Sequence, residues 1–415
     1  MQKTISGGIY QQLFRNKNFL ALWIGQMVSF LGDYFEFLAI PIMLQQLTGS
    51  TLMIGLWLIS TSIPMLVFGP VAGVFVDRWD RKRTMLASDL IRGILVLFCL
   101  LVRSSDQVWI FYVIGFLVSC ASRFFFPARN AALPLIVTNE DQLLPANGLM
   151  QIIQTVGMLA GPALAGVMIG LWGAPVAFIF HSGAYLFSAS AILLMKIPHT
   201  TPGNLQLGVV WNDLKEGIRF LFSSRVLIGV IACLAVMMLG LGAINVLWVP
   251  YLMKTFGVGA AGIGMVDSAM GLGMVVGGAS LTWLSNRLKP PILGGMGIAV
   301  IGVMICGMGL APVYNLILGM AFIAGLFLVP FNSVLATVMQ LAVPDIKRGR
   351  VSGAMDAITT AASIVSMGVA SWAADLLGFR LIYLICGGLM ILAGLLGVRL
   401  LQDGEVQEMN PSEAA

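Results

Sequence analysis

The sequence predicts an all-α polytopic membrane protein with twelve transmembrane helices in two pseudo-symmetric six-helix halves. Three observations predict it. Of 415 residues, 59% are hydrophobic and 10% are charged, where a soluble domain carries roughly a quarter charged residues. The apolar residues fall into twelve runs, each near the roughly 17–25 residues that a helix needs to cross a bilayer. The basic residues gather in alternate connections, the pattern that orients membrane proteins. Composition excludes other classes. A disordered chain would be polar and highly charged. The five cysteines, at 99, 120, 233, 306 and 386, are too scattered for a disulfide framework or a metal site and read as small apolar residues. The net charge of +5 sits in short loops rather than on a face that could follow phosphates, so no nucleic-acid partner is expected.

In order along the chain, Met1–Asn18 is polar, with Lys3, Arg15 and Lys17, and lacks the apolar core of a cleavable signal peptide. The predicted spans of the first half are Phe19–Gln45, Leu52–Val76, Met85–Val102, Val108–Leu133, Gly148–Trp172 and Ala174–Met195. Those of the second are Val226–Met253, Ala260–Ser285, Pro291–Ala311, Tyr314–Leu341, Val351–Leu376 and Phe379–Leu401. This divides the chain into an N-terminal half (1–195), a linker (196–225), a C-terminal half (226–401) and a polar tail (402–415). The linker predicts an amphipathic interfacial helix, with Val210, Leu214, Ile218 and Leu221 on one face and Asp213, Glu216 and Arg219 elsewhere. The tail is acidic and predicted to be disordered. Basic residues cluster at the N-terminus, in the 2–3 loop (Arg78, Arg81, Lys82, Arg83), the linker, the 8–9 loop (Arg287, Lys289) and the 10–11 loop (Lys347, Arg348, Arg350). The other side offers Arg103, Lys254 and Arg380. Both termini are therefore expected in the cytoplasm. Phe126-Pro127-Ala128-Arg129-Asn130 in span four and Pro330-Phe331-Asn332 in span ten, each with a glycine after a similar interval, fit a six-helix repeat.

Charges inside spans are costly and mark candidate functional positions. Asp33 and Glu36 in span one share a helix face at i,i+3 spacing. One of them could exchange protons or bind a cation; alternatively the pair stabilises a closed outer gate. Asp89 and Arg92 in span three, also i,i+3, are expected to pair near the cytoplasmic end. Asp356 in span eleven fits a partner for Arg350 or Arg81, and Asp267 in span eight is placed where hydration is cheap. His181 is a lone imidazole expected to serve packing, and His199 falls in the linker. Tyr34, Arg123, Gln151, Gln154, Asn245, Trp248 and Asn332 are cavity candidates, because polar groups within spans seldom face lipid. No nucleotide-binding, zinc or hydrolase signature is present, so neither an enzyme nor a cofactor is expected.

The 2–3 loop reads Gly73-Val74-Phe75-Val76-Asp77-Arg78-Trp79-Asp80-Arg81-Lys82-Arg83. Gly73 would allow close helix approach. Gly-x-x-x-Asp-Arg ahead of the basic run resembles the signature of the major facilitator superfamily. Asp80 replaces that motif's second glycine. The resulting form is similar to the branch holding macrolide-efflux proteins and the enterobactin exporter, as are Phe126–Asn130 with Pro134 and the run Pro344 to Gly353. Span five carries Gly157-Met158-Leu159-Ala160-Gly161-Pro162-Ala163-Leu164-Ala165-Gly166. Its bland reading is a small-residue packing face; it also resembles the superfamily's antiporter motif. The resemblance implies the major facilitator fold and a cytoplasmic gate drawn from Gly73, Asp77, Arg78 and Arg81; from their own positions Asp89, Arg92 and Asp356 are expected in the same network. An arginine common in span four of related drug exporters is Val118 here, and Arg123 lies nearer the cytoplasmic end.

Together these features predict a monomeric carrier of a bacterial inner membrane. It would rock two halves about a midplane site; the resemblance implies export of amphiphilic or cationic compounds, macrolide-type drugs first, against protons. Siderophore export and lysophospholipid movement are rivals within the class. A non-transporting membrane scaffold is the rival outside it.

Overall fold

A computed structural model describes residues 6–76, 78–137, 139–198, 215–223 and 225–408. Asp77, His199, Val210, Asp213 and Leu214 lie outside the described residues. A short helix, α1 (Ser6–Arg15), leads the chain. The next six helices are α2 (Lys17–Thr48), α3 (Thr51–Val76), α4 (Arg81–Leu97, continued as 3-10 turns to Leu101), α5 (Trp109–Ile136), α6 (Leu143–Trp172) and α7 (Ala174–Leu194). After a helical linker segment (215–221) come α8 (Arg225–Phe256), α9 (Ala260–Ser285), α10 (Pro290–Leu310), α11 (Tyr314–Ala342), α12 (Asp345–Leu377) and α13 (Phe379–Glu408). Among the described residues twelve helices are long and apolar enough to cross a membrane, so the chain is a multi-pass membrane protein. Among the described residues there is no β-strand. In lipid each backbone polar group must be satisfied within its own helix, which leaves helices as the solution for runs of this length.

Local chemistry sets several ends. The Asn16 side chain accepts from the backbone N–H groups of Asn18 and Phe19 and starts α2, which ends at Gly49 with φ 66°. Asp80, the residue that breaks the motif's glycine, caps α4: its Oδ1 accepts the Arg83 N–H at 2.8 Å. Single glycines join α6 to α7 and α12 to α13. Gly173 and Gly378 have φ of 83° and 76°, a region open to glycine at no steric cost.

The chain forms two compact units. The first comprises Met1–Gly49, Ser60–Leu207 and Gly259–Gly264; the second comprises Ser50–Ile59, Gly208–Val258 and Met265–Ala415. In the first, α2 packs on α6 and α7, and α4 packs on α5 and α7. In the second, α8 packs on α12 and α13, and α10 packs on α11 and α13. The pairing of spans is therefore the same in both, and the lone-glycine turns stand at matching places.

Several expectations change. The polar N-terminal segment forms α1, whose Leu13 is fully buried with Phe19, Met85 and Ile136. Lys347, Arg348 and Arg350 are not in a loop but in the first turns of α12. The tail is helical as far as Glu408. In the linker segment Gly217 and Leu221 are buried while Ile218 is exposed. The segment seats on α12, where a Cβ on Gly217 would lie 2.7 Å from the Arg350 carbonyl carbon. Glu216 accepts from Arg350 at 2.6 Å.

Candidate functional site

The helix α2 runs longer than predicted, which puts Asp33 and Glu36 midway along its 32 residues. Neither lies near an end. Opposite them is α7. A Cβ on Gly32 would meet Cδ2 of His181 and Cβ of Ala184, both at 2.9 Å, so the bare glycine makes the space that the imidazole fills. His181 is 1% exposed and touches both carboxylates, through Nε2 to Asp33 Oδ1 at 3.1 Å and Nδ1 to Glu36 Oε2 at 3.0 Å. The first contact has hydrogen-bond geometry. The second is a charge contact without that alignment, and Nδ1 is a buried nitrogen with no hydrogen-bond partner among the described residues. The Tyr185 hydroxyl donates to Asp33 Oδ1 at 2.7 Å. Asp33 is the open end of the group, its side chain 39% exposed against 10% for Glu36.

A second ion pair abuts the first group. Asp89 and Arg92 of α4 are buried and joined to each other. The Arg92 guanidinium lies 4.3 Å from the Tyr185 ring centre and 4.5 Å from that of Phe125, an arrangement that offsets desolvation of the cation. Its Nη1 reaches Ser122 Oγ of α5 at 3.4 Å. Asp89 and Arg92 therefore pair as their spacing predicts, but in contact with Tyr185 at mid-span. Four helices thus converge on one polar group in an otherwise apolar bundle: Glu36, His181, Asp33, Tyr185, Arg92, Asp89 and Ser122. Sequence reasoning placed His181 in packing and passed over Tyr185. Each is one polar residue on an apolar helix, and the only available signal was that a histidine at mid-span needs a partner.

The imidazole stands between the two carboxylates, and among the described residues no group of three His, Cys, Asp or Glu side chains is arranged to hold a metal ion.

The glycine motif of α6 has two faces. Cβ atoms on Gly157 and Gly161 would collide with the rings of Phe30 and Tyr34 of α2. A Cβ on Gly166 would lie 3.2 Å from Ala261 Cα, and one on Gly264 would lie 2.9 Å from the Pro162 carbonyl carbon. Gly73 is different: among the described residues a Cβ there meets nothing within 4 Å. Arg78 lines a cavity of about 790 Å³ with Trp79, Arg83 and Phe124. Arg81 occupies the first turn of α4.

Of the remaining cavity candidates, Gln151 donates to Gln154 at 3.2 Å on an exposed face of α6. Arg123 is half-buried. In the second unit Asn332, Arg348 and Asp356 line one cavity of about 350 Å³. Asn245 is exposed. The Trp248 indole donates to Asp267 at 2.7 Å.

Comparison with known proteins places this architecture. The sequence model described as "Major Facilitator Superfamily" matches residues 22–247 and 230–415. The chain is 30% identical to the "Uncharacterized MFS-type transporter YfiS" of Bacillus subtilis, over 92% of this chain and 93% of that protein. It is 26% identical to "Macrolide efflux protein A" of Streptococcus pyogenes, over 90% and 93%. It is 29% identical to "Enterobactin exporter EntS" of Citrobacter koseri, over 81% and 80%. Twelve apolar helices in two repeats, with matches running the length of the chain, make it a member of the Major Facilitator Superfamily of membrane transporters.

Proposed function

We propose that this transporter is a proton-driven exporter of amphiphilic, cationic small molecules, with macrolide-type drugs as the leading class. The observation that carries the reading is the carboxylate pair Asp33/Glu36 at mid-span, closed over by His181 and Tyr185. Charges at the centre of a membrane helix are retained against a large desolvation cost and belong to ion or substrate pathways. One proton moving down a potential brings about 2.3 kcal/mol per 100 mV, enough to bias a two-state carrier. The macrolide and enterobactin exporters among its relatives support export over uptake. So does the glycine motif of α6, whose resemblance is to antiporters. The protein would work as a monomer in a bacterial inner membrane with both termini in the cytoplasm, as the basic residues of alternate connections favour. It would exchange cargo for protons by alternating access, without cofactor or catalysis, and would raise resistance to the drugs it carries.

The test is dye retention in an efflux-deficient bacterium making the protein, with a protonophore added midway. Expulsion of a fluorescent cation that stops with the gradient supports the reading. Asp33→Asn and Glu36→Gln should each abolish expulsion while the protein stays in the membrane. Export untouched in both variants would remove the pair from coupling. No expulsion by the wild type would favour the anionic siderophore instead.

A further inference from the structure

We propose that the cavity bounded by the 2–3 loop, α4 and α5 is a binding site for one anionic phospholipid, whose phosphate is held by Arg78 and Arg83 while an acyl chain lies along α4. The leaflet is the one beside the basic connections, cytoplasmic in the orientation proposed above. The site is separate from Asp33 and Glu36 and is independent of what the protein exports.

The cavity measures about 790 Å³, within the range of about 300–1,000 Å³ that holds small-molecule groups. Its lining changes character along α4. At the head of the helix stand Arg78, half-buried, and Arg83, exposed. Among the described residues of the lining Asp80 is the one carboxylate, and its Oδ1 already accepts the Arg83 backbone N–H. Lys82 is turned away, donating to the carbonyls of Leu193 and Met195. Two guanidinium groups thus stand against one engaged carboxylate. Beside them the exposed Trp79 packs its ring on Phe75 and Phe124, with centres 5.4 and 5.5 Å apart. Further along, Ala87 and Ile91 complete the lining. Ile94 and Phe98 continue the face of Ile91 beyond the cavity, and all three are exposed. The Ser88 hydroxyl donates to the Ala121 carbonyl at 2.8 Å and ties α4 to α5 within the lining.

The order of these groups identifies the occupant. A cationic end, an indole at its edge and an apolar stripe of about 10 Å from Ile91 to Phe98 match a phosphate, its glycerol and an acyl chain in the same sequence. Tryptophan sits at the headgroup level of membrane proteins, and paired N–H donors of a guanidinium suit phosphate oxygens. The span that carries the stripe, Arg81–Leu101, is long and apolar enough to cross the bilayer, so its exposed side chains face lipid. Other occupants fit less of the lining. A soluble phosphate leaves the stripe unused. The amphiphilic cation of the proposed export meets the wrong sign at Arg78 and Arg83. A zwitterionic lipid brings a second charge that the arginines oppose. The matching connection of the second unit spends its arginine elsewhere: the Arg287 guanidinium lies 4.3 Å from the Trp283 ring centre.

The experiment is native mass spectrometry of the purified full-length protein, given phosphatidylglycerol or phosphatidylcholine with the same chains. Each arginine near an anionic lipid contributes about fivefold in affinity, so the wild type should retain one phosphatidylglycerol and prefer it by roughly twenty-fivefold. In the double variant Arg78→Gln with Arg83→Gln the preference should fall below about twofold. Arg287→Gln, which removes a charge from the matching connection, should keep it. Ala87→Trp fills the cavity while both arginines stay, and it should lose the lipid as the double variant does; it decides the matter if the double variant does not fold. Equal retention of the two lipids by the wild type overturns the proposal, as does a double variant or an Ala87→Trp variant that keeps the preference. A loss as large in Arg287→Gln overturns it too, since the attraction would then be diffuse. The unaltered protein supplies a further arm. Glycerol 3-phosphate should leave the bound phosphatidylglycerol in place at equal concentration; displacement would make this a site for soluble phosphate and overturn the lipid.

Discussion

The helix pairs α4·α7 and α10·α13 occupy the same place in the two repeats and are held together by different forces. Between α4 and α7 lie Arg92 over Tyr185 and the Ser182 hydroxyl on the Gly93 carbonyl at 2.7 Å. Between α10 and α13 there are glycines. A Cβ on Gly394 would lie 2.5 Å from the Gly295 oxygen, one on Gly302 2.6 Å from the Gly387 oxygen, and one on Gly309 2.7 Å from Tyr383 Cβ. Bare backbones in contact are held by dispersion and steric fit, as is common in membrane bundles. Its contacts are between backbones and small side chains, with the Cys306 thiol on the Leu384 carbonyl at 3.6 Å. The α4·α7 interface instead carries buried charges. The two repeats thus share one plan of helix pairing and differ in what holds a matching pair together.

Substitutions in the charged interface should have the largest effect. Asp89→Asn or Arg92→Gln strands one buried charge, at a cost of about 3–5 kcal/mol, read as a fall in melting temperature of the purified protein. Replacing both by apolar residues, Asp89→Leu with Arg92→Met, should recover most of the loss, since paired buried ions seldom outdo an apolar pair of their size. Single variants as stable as the wild type would mean that the pair is hydrated, and the contrast would collapse.

Glycine substitutions sharpen the other side. Gly302→Ala meets backbone, the Gly387 oxygen and the Ile391 nitrogen at 2.6 and 2.8 Å, which cannot yield, and overpacking of this kind costs about 1–3 kcal/mol. Gly93→Ala in α4 meets the Leu186 side chain at 3.1 Å. That chain can turn aside, so the cost should stay under about 1 kcal/mol. Thermal unfolding of the two variants side by side decides it; equal losses would erase the distinction. The smallest effect belongs to Asp267→Asn. The new side chain still accepts from Trp248, so stability should change by less than about 1 kcal/mol in the same assay. A larger loss would show that the second unit also leans on a charge.

Much of this was legible in the sequence, for reasons that also explain the rest. Asp33, Glu36, Asp89 and Arg92 stand out because a charge among apolar residues is visible without any contact map, and i,i+3 spacing fixes which charges share a face. The joining of the two pairs was not legible. His181 lies 148 positions from Asp33. A helix apolar all round carries no stripe to say which side faces its neighbours, so neither the turn of α7 nor the role of Tyr185 follows from periodicity. Span ends shifted because helices continue past the apolar run: α12 begins at Asp345 with its basic residues already helical. Asp80 caps α4 from its place directly before Arg81, a role its residue type and position allow.

The distance between Asp33 and His181 along the chain also has a meaning in time. A nascent polypeptide grows at about 5–20 residues per second, so the carboxylates of α2 precede their imidazole by roughly 7–30 seconds at that pace. Through that interval four further spans are made while Asp33 and Glu36 have no imidazole from α7 to face. Lys82 donates to the carbonyls of Leu193 and Met195 at 2.8 and 2.5 Å, and Asn18 donates to that of Lys196 at 2.9 Å. The far end of α7 is thus fastened by residues already synthesised. The sixth span closes the first half as a keystone closes an arch, and the unpaired acids of α2 are what the unfinished arch must carry until it arrives.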